Sequence, residues 1–151
     1  MLESSYQVRQ AASRDEAAWL DLTMRLWPDA TSAELKEDFH RVFFSEEEAI
    51  FLCEEKGQLL GMIILALRHE YVEGTHTTPV GYIEGIFVRE EYRCRKVGQC
   101  LVEKAEQWSK WRGCREIASD TELSNQNSQQ FHQAIGFEEA NRIVCYRKSL
   151  E

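Results

Sequence analysis

No run of eighteen apolar residues occurs in this chain, so no segment is expected to cross a membrane as a helix. The opening segment, MLESSYQVRQ, is too polar for a secretion signal, and a cytoplasmic protein is the expectation. Five cysteines are present, Cys53, Cys94, Cys100, Cys114 and Cys145, but none stand in a C-x-x-C pair or at zinc spacing. An odd count without a secretion signal favours reduced thiols, several of them in the core. The four histidines are scattered without an H-E-x-x-H, so no metal site is expected. Basic residues are outnumbered too: 18 Lys and Arg against 26 Asp and Glu leave a net charge of −8. That argues against nucleic acid as a partner, because binding phosphates needs a basic footprint. Repeats, low-complexity stretches and linkers are missing as well.

What remains is an ordinary globular composition, 43% hydrophobic and 29% charged, over 151 residues. This length suits one domain, 1–151, with room for a real core. Acidic clusters at Glu46-Glu47-Glu48, Glu54-Glu55 and Glu90-Glu91 suit a cationic small molecule, which an acidic cleft concentrates, although such clusters are also ordinary solvated surface.

Tyr6 to Arg9 alternates as a first strand. Ser13-Arg14-Asp15-Glu16 reads as a capping box, followed by Ala17, Leu20, Met24 and Trp27 at helical spacing and a stop at Pro28. A second box, Thr31-Ser32-Ala33-Glu34, opens a helix with Leu35, Phe39, Val42 and Phe43 on one face. Ala49–Cys53 and Leu59–Leu67, joined through Glu55-Lys56-Gly57, read as a hairpin. After a polar loop, Val80–Val88 is a third apolar run. Val97, Leu101, Ala105 and Trp108 then mark a helix of about three turns. Glu116–Asp120 is a short strand, Phe131, Ala134 and Ile135 belong to a helix closed by Gly136, and Ile143–Tyr146 is the last strand. The order β-α-α-β-β-β-α-β-α-β describes an α/β sandwich around one mixed sheet.

The turn after Val88 is the most informative segment. A strand, a loop carrying Arg93, Arg95 and Lys96, and Gly98 at a helix start would aim backbone N–H groups outward at a positive helix end, an arrangement that binds pyrophosphate. This loop and the element order resemble the GCN5-related N-acetyltransferase superfamily and its signature Arg/Gln-x-x-Gly-x-Gly/Ala. Here the signature reads Arg93-Cys94-Arg95-Lys96-Val97-Gly98, with lysine in place of the first glycine. Lysine keeps its N–H but prefers negative φ, so a reshaped loop or weaker coenzyme binding is expected. Asn125 to Phe137 resembles the second landmark, Asn-x-x-Ala/Ser-x-x-x-Tyr followed by Gly-Phe, with His132 at the tyrosine position. The resemblance implies a GNAT-type mixed central sheet flanked by helices. It also implies acetyl-CoA as cosubstrate, held by Ile86, Phe87, Val88, Arg93, Arg95, Lys96, Val97, Gly98, Gln99, Asn125, Ser128 and His132.

Six segments in order resemble one branch, the aminoglycoside 6′-N-acetyltransferases: residues 26–29, 68–74, 78–80, 83–88, 113–121 and 132–139. Carried over by position, Trp27 and Tyr71 would wall an acidic pocket, and Glu84 and Asp120 would bind ammonium groups. A further family carboxylate falls on Asn141, which would pass its role to Glu138 or Glu139. Glu84 is notable without the resemblance, because a carboxylate inside an apolar strand is costly unless paired or wet. Direct attack of an amine on the thioester is then expected, with Glu84 or Asp120 accepting its proton. N–H groups near Phe87 and Val88, exposed by a kink at Gly85, would face the carbonyl oxygen. His132 would help protonate the leaving thiol. Relatives commonly pair, which implies a homodimer. Three alternatives stay open: another small amine or protein amino group as acceptor, a covalent route through Cys94 or Cys114, and a non-catalytic coenzyme-binding module.

Overall fold

The computed structural model describes residues 5–151. Residues 1–4, which open the polar N-terminal segment, lie outside the described residues. Strand β1 (Gln7–Gln10) is followed by α1 (Glu16–Leu26), α2 (Ser32–Phe43), β2 (Glu48–Glu55), β3 (Gln58–Arg68), β4 (Val80–Val88), α3 (Val97–Trp111), β5 (Ile117–Ser119) and α4 (Gln126–Ala134). The five strands lie in chain order, antiparallel except for the parallel pair β4–β5. A mixed sheet flanked by helices is thus present as expected. Lys56 (φ 51°) and Gly57 (φ 77°) are both left-handed, as a two-residue hairpin turn between β2 and β3 requires.

Strand alternation sends side chains to two cores. Ile50, Leu52, Met62 and Ile64 meet Trp19, Leu22, Leu35 and Phe39 from α1 and α2. Phe51, Cys53, Ile63 and Leu65 meet Val97, Leu101 and Ala105 from α3. Each such fully buried apolar side chain stabilises the fold by about 1.5–3 kcal/mol. The faces of α2 and α3 are those read from spacing, except that Phe43 is partly exposed; α3 runs 15 residues, about a turn longer than expected. The face of α1 differs. Trp19, Leu20, Leu22 and Thr23 are buried, whereas Ala17 is exposed and Met24 is 46% exposed. The larger Trp19 and Leu22 win the core over the stripe begun by Ala17.

Thr31 and Glu34 form the expected reciprocal cap, Thr31 N–H donating to Glu34 (2.8 Å) and Glu34 N–H to Thr31 Oγ1 (3.2 Å). Ser13 and Glu16 do not. The chain enters α1 through a 3-10 turn at Ser13–Asp15, where Asp15 accepts from Ala12 N–H (2.7 Å) and from Arg9 (2.7 and 2.9 Å). A half-buried, bidentate ion pair outcompetes the exposed serine cap.

The expected last strand is absent. Residues 138–151 are all exposed and have no regular structure. Alternation at Ile143–Tyr146 supplies strand propensity, but a strand needs a ladder partner. Among the described residues, open edges remain at β1, at β5 and along β4 beyond Ile83, and the tail pairs with none of them.

Candidate active site

Two deviations in β4 build the centre of the molecule. First, the pairing with β3 runs Ile64 to Gly85 and Leu65 to Ile83, so Glu84 is the extra residue of a β-bulge. The bulge exchanges the faces of the strand. Ile83 packs with α3, whereas Phe87, four residues later, packs with α1 and α2. Glu84 is thereby turned out of the apolar run into a cavity of about 370 Å³, whose lining includes Trp27, Asp38, Arg41 and Glu48. Arg41 is paired with both Asp38 and Glu48. Gly85 is required by packing. A Cβ there would stand 2.9 Å from two ring atoms of Trp27.

Second, β5 pairs with β4 only at Gly81, Tyr82 and Ile83. Beyond Ile83 the outer side of β4 has no strand beside it among the described residues. Arg89 N–H donates to Leu60 of β3 (2.9 Å), and backbone groups alternate along an antiparallel strand. Val88 and Ile86 therefore turn their N–H groups into the gap, while Phe87 bonds back to β3. The expectation named Phe87 with Val88; the bulge-free stretch after Gly85 makes the pair Ile86 and Val88.

The gap leads to the start of α3. The first α-helical bond there runs from Cys100 N–H to Lys96 C=O, so the N–H groups of Val97, Gly98 and Gln99 precede it, and no side chain caps this end. Lys96 takes the left-handed conformation itself (φ 67°), as does Cys94 (φ 61°). The loop thus keeps a glycine-like turn at Lys96 at a backbone cost of about 1 kcal/mol. Arg93 Nε donates to Val88 C=O (3.0 Å), and the Arg95 guanidinium sits over Tyr92. Gly98 proves necessary for a reason other than phosphate approach: a Cβ would stand 2.8 Å from the ring of Phe131, which docks α4 on α3.

At the far side of the gap, Asn125 caps α4 by accepting from Ser128 N–H (3.1 Å). His132 Nδ1 lies 2.6 Å from Ser128 C=O and its Nε2 lies 2.9 Å from Ser119 Oγ. A carbonyl can only accept, so Nδ1 carries a proton and Nε2 addresses the serine hydroxyl. Asp120 follows β5 and accepts from Tyr82 OH (2.6 Å). Burial, then this bond, push the tyrosine pKa up. The Arg68 guanidinium covers the Tyr82 ring at 3.4 Å and bonds both oxygens of Glu84 (2.9 and 3.0 Å). Glu84 and Asp120, far apart in sequence, are ends of one network.

These features have known counterparts. Residues 15–137 match the acetyltransferase (GNAT) family. The chain belongs to that family. An aminoglycoside N(6′)-acetyltransferase type 1 from Stenotrophomonas maltophilia is 38% identical, over 100% of this chain and 98% of the relative. Another from Acinetobacter baumannii is 39% identical over 87% and 90%. AAC(6′)-Iy, solved in complex with the bisubstrate analogue CoA-S-monomethyl-acetylneamine, superposes with a TM-score of 0.93 at 36% identity, over 97% of this chain and 99% of that one.

Acetyl-CoA is the cosubstrate of this acetyltransferase, and the residues fit it. An uncapped helix end, a turn held open at Lys96 and exposed arginines at 93 and 95 match a pyrophosphate, and the gap beside Ile86 and Val88 matches an extended arm. Of the residues expected to meet the acceptor, Trp27 and Glu84 line one cavity. Tyr71 does not join them; it is 77% exposed on the loop after β3. Glu138 is exposed, and Glu139 is held by Arg142. Both lie on the tail that fails to form a strand. Arg68, Tyr82 and Ser119 were missed as site residues, as was Glu116, which anchors the Tyr71 loop by accepting from His76 N–H (2.8 Å) and Thr77 N–H (2.7 Å). Only the density of polar residues near sheet ends could have flagged them. Cys114, a candidate nucleophile, is buried, and burial raises its thiol pKa; Cys94 is exposed.

Proposed function

We propose that this acetyltransferase moves the acetyl group of acetyl-CoA to the 6′-amine of an aminoglycoside, as one domain working in the cytoplasm as a homodimer. The observation that carries the reading is Glu84, lifted by the bulge beside Trp27 at the mouth of the β4–β5 gap. A carboxylate there binds an ammonium and can take its proton, with Asp120 as the second anion. The cosubstrate supplies an activated thioester. Ile86 and Val88 N–H groups would face its carbonyl oxygen as charge grows there. The departing sulfur would take the Ser119 hydroxyl proton while the imidazolium form of His132 passes its Nε2 proton to Ser119, which leaves a neutral ring with its Nδ1 proton on Ser128 C=O.

The tail supports pairing. Val144 is 75% exposed, Tyr146 92% and Leu150 94%, and none of the described residues covers them.

Thiol release from acetyl-CoA with kanamycin or tobramycin tests the reading, against a drug carrying a hydroxyl in place of the 6′-amine. Turnover confined to 6′-amino drugs supports it, and absence of turnover with both drugs overturns it. Glu84→Gln keeps the shape and should lower kcat/KM on the order of 100-fold, as loss of a base does. An unchanged kcat/KM removes Glu84 from the reaction.

A further inference from the structure

The two anions of the acceptor site do not stand open. Arg68 ends β3 one strand away from Glu84 and reaches it with Nε (3.1 Å) and Nη2 (2.9 and 3.0 Å). Its guanidinium carbon sits 3.4 Å from the centre of the Tyr82 ring, and Tyr82 in turn holds Asp120 (2.6 Å). Both partners are reachable by solvent, with 42% and 33% of their side chains exposed. This pair is therefore an exchangeable one at the mouth of a cavity, unlike a sealed structural ion pair. A guanidinium bonded to a carboxylate occupies the site an acceptor ammonium would need.

We propose that Arg68 is a specificity-determining residue that acts as an internal stand-in for the acceptor ammonium. It occupies Glu84 in the free enzyme and must be displaced when the acceptor binds. The inference rests on the acceptor being a polycationic amine, as proposed above. Its physical basis is competition: every acceptor is charged the free energy of breaking the Arg68–Glu84 pair. An amine presenting several ammonium groups to Glu84 and Asp120 together overcomes this, while a simple monoamine has only one contact to offer. The guanidinium keeps a partner when Glu84 is taken, because it already rests on the Tyr82 ring face and can stay against it as its Glu84 bonds break. Arg68 thus sets a threshold of charge for entry.

Steady-state kinetics with kanamycin on the intact enzyme tests this. Arg68→Gln keeps a donor without charge, and Arg68→Met keeps an apolar stem over Tyr82. Both should lower the kanamycin KM about tenfold, the factor that about 1.4 kcal/mol of lost competition gives. Arg68→Lys, still cationic, should stay near the wild type, and the acetyl-CoA KM reports folding in each case. A kanamycin KM that is unchanged or raised in the Gln and Met variants, with the acetyl-CoA KM intact, overturns the proposal. The wild type gives an independent check by NMR. Its Arg68 Nε–H, protected by Glu84, should lose protection when kanamycin is added, and retained protection overturns the displacement. If the wild type acetylates no 6′-amino drug, the functional reading fails and this inference falls with it. Turnover with no fall in KM fails the inference alone.

Discussion

A methyl group at position 98 would enter the space of the Phe131 ring, whose nearest atoms lie 2.8 and 2.9 Å from a Cβ built there. Gly98→Ala should therefore destabilise the protein by about 1–3 kcal/mol, the usual penalty of overpacking, and raise the acetyl-CoA KM by shifting α4. Thermal melts and coenzyme kinetics measure both. The same change in a Phe131→Ala background should lose most of its penalty; an equal penalty there would place the strain elsewhere. The position was legible in the sequence as a glycine of the coenzyme loop, but its reason was not. Which ring stands over a given Cα is a fact of helix packing, and spacing does not carry it. Lys96 is the converse case. Its departure from glycine was plain in the sequence, but that the loop holds a lysine in the left-handed conformation, at φ 67°, was not.

Three elements meet at Arg9, which bonds Asp15 at the entry to α1 and Glu54 of β2 (3.1 and 3.2 Å). The Arg9 guanidinium, as the largest cause, holds the Asp15 carboxyl below the ordinary carboxylate range. A depressed folded-state pKa stabilises the protein above the unfolded value, about 3.9 for Asp, and the contribution is lost as pH falls through the folded value. Asp15→Asn should therefore lower Tm at neutral pH, and the gap from the wild type should narrow as pH drops below about 4. Melts from pH 7 down to about 3 check this; a gap independent of pH would assign the loss to packing. The helices and the hairpin were readable from caps, periods and the Lys56-Gly57 turn, which are local signals. The start of α1 was misread because Asp15, rather than Ser13, is held there, and its strongest partner, Arg9, comes from a strand that a capping pattern does not read.

For the whole molecule the exposed tail is decisive. Deleting residues 138–151 should leave the sheet and its helices folded and convert the proposed dimer to a monomer, read by sedimentation. A truncated chain that sediments as a dimer would locate the interface elsewhere. Period, capping and turn chemistry determined the element order as far as α4 and most of the helix faces, because each rests on neighbours a few residues apart, while the resemblance implied the role of the loop after β4. Only the tertiary structure decided the bulge that frees Glu84, the Arg68–Tyr82–Asp120 network and the fate of Ile143–Tyr146. Those depend on which strands pair and in what register, and that is settled by contacts between residues distant in the chain.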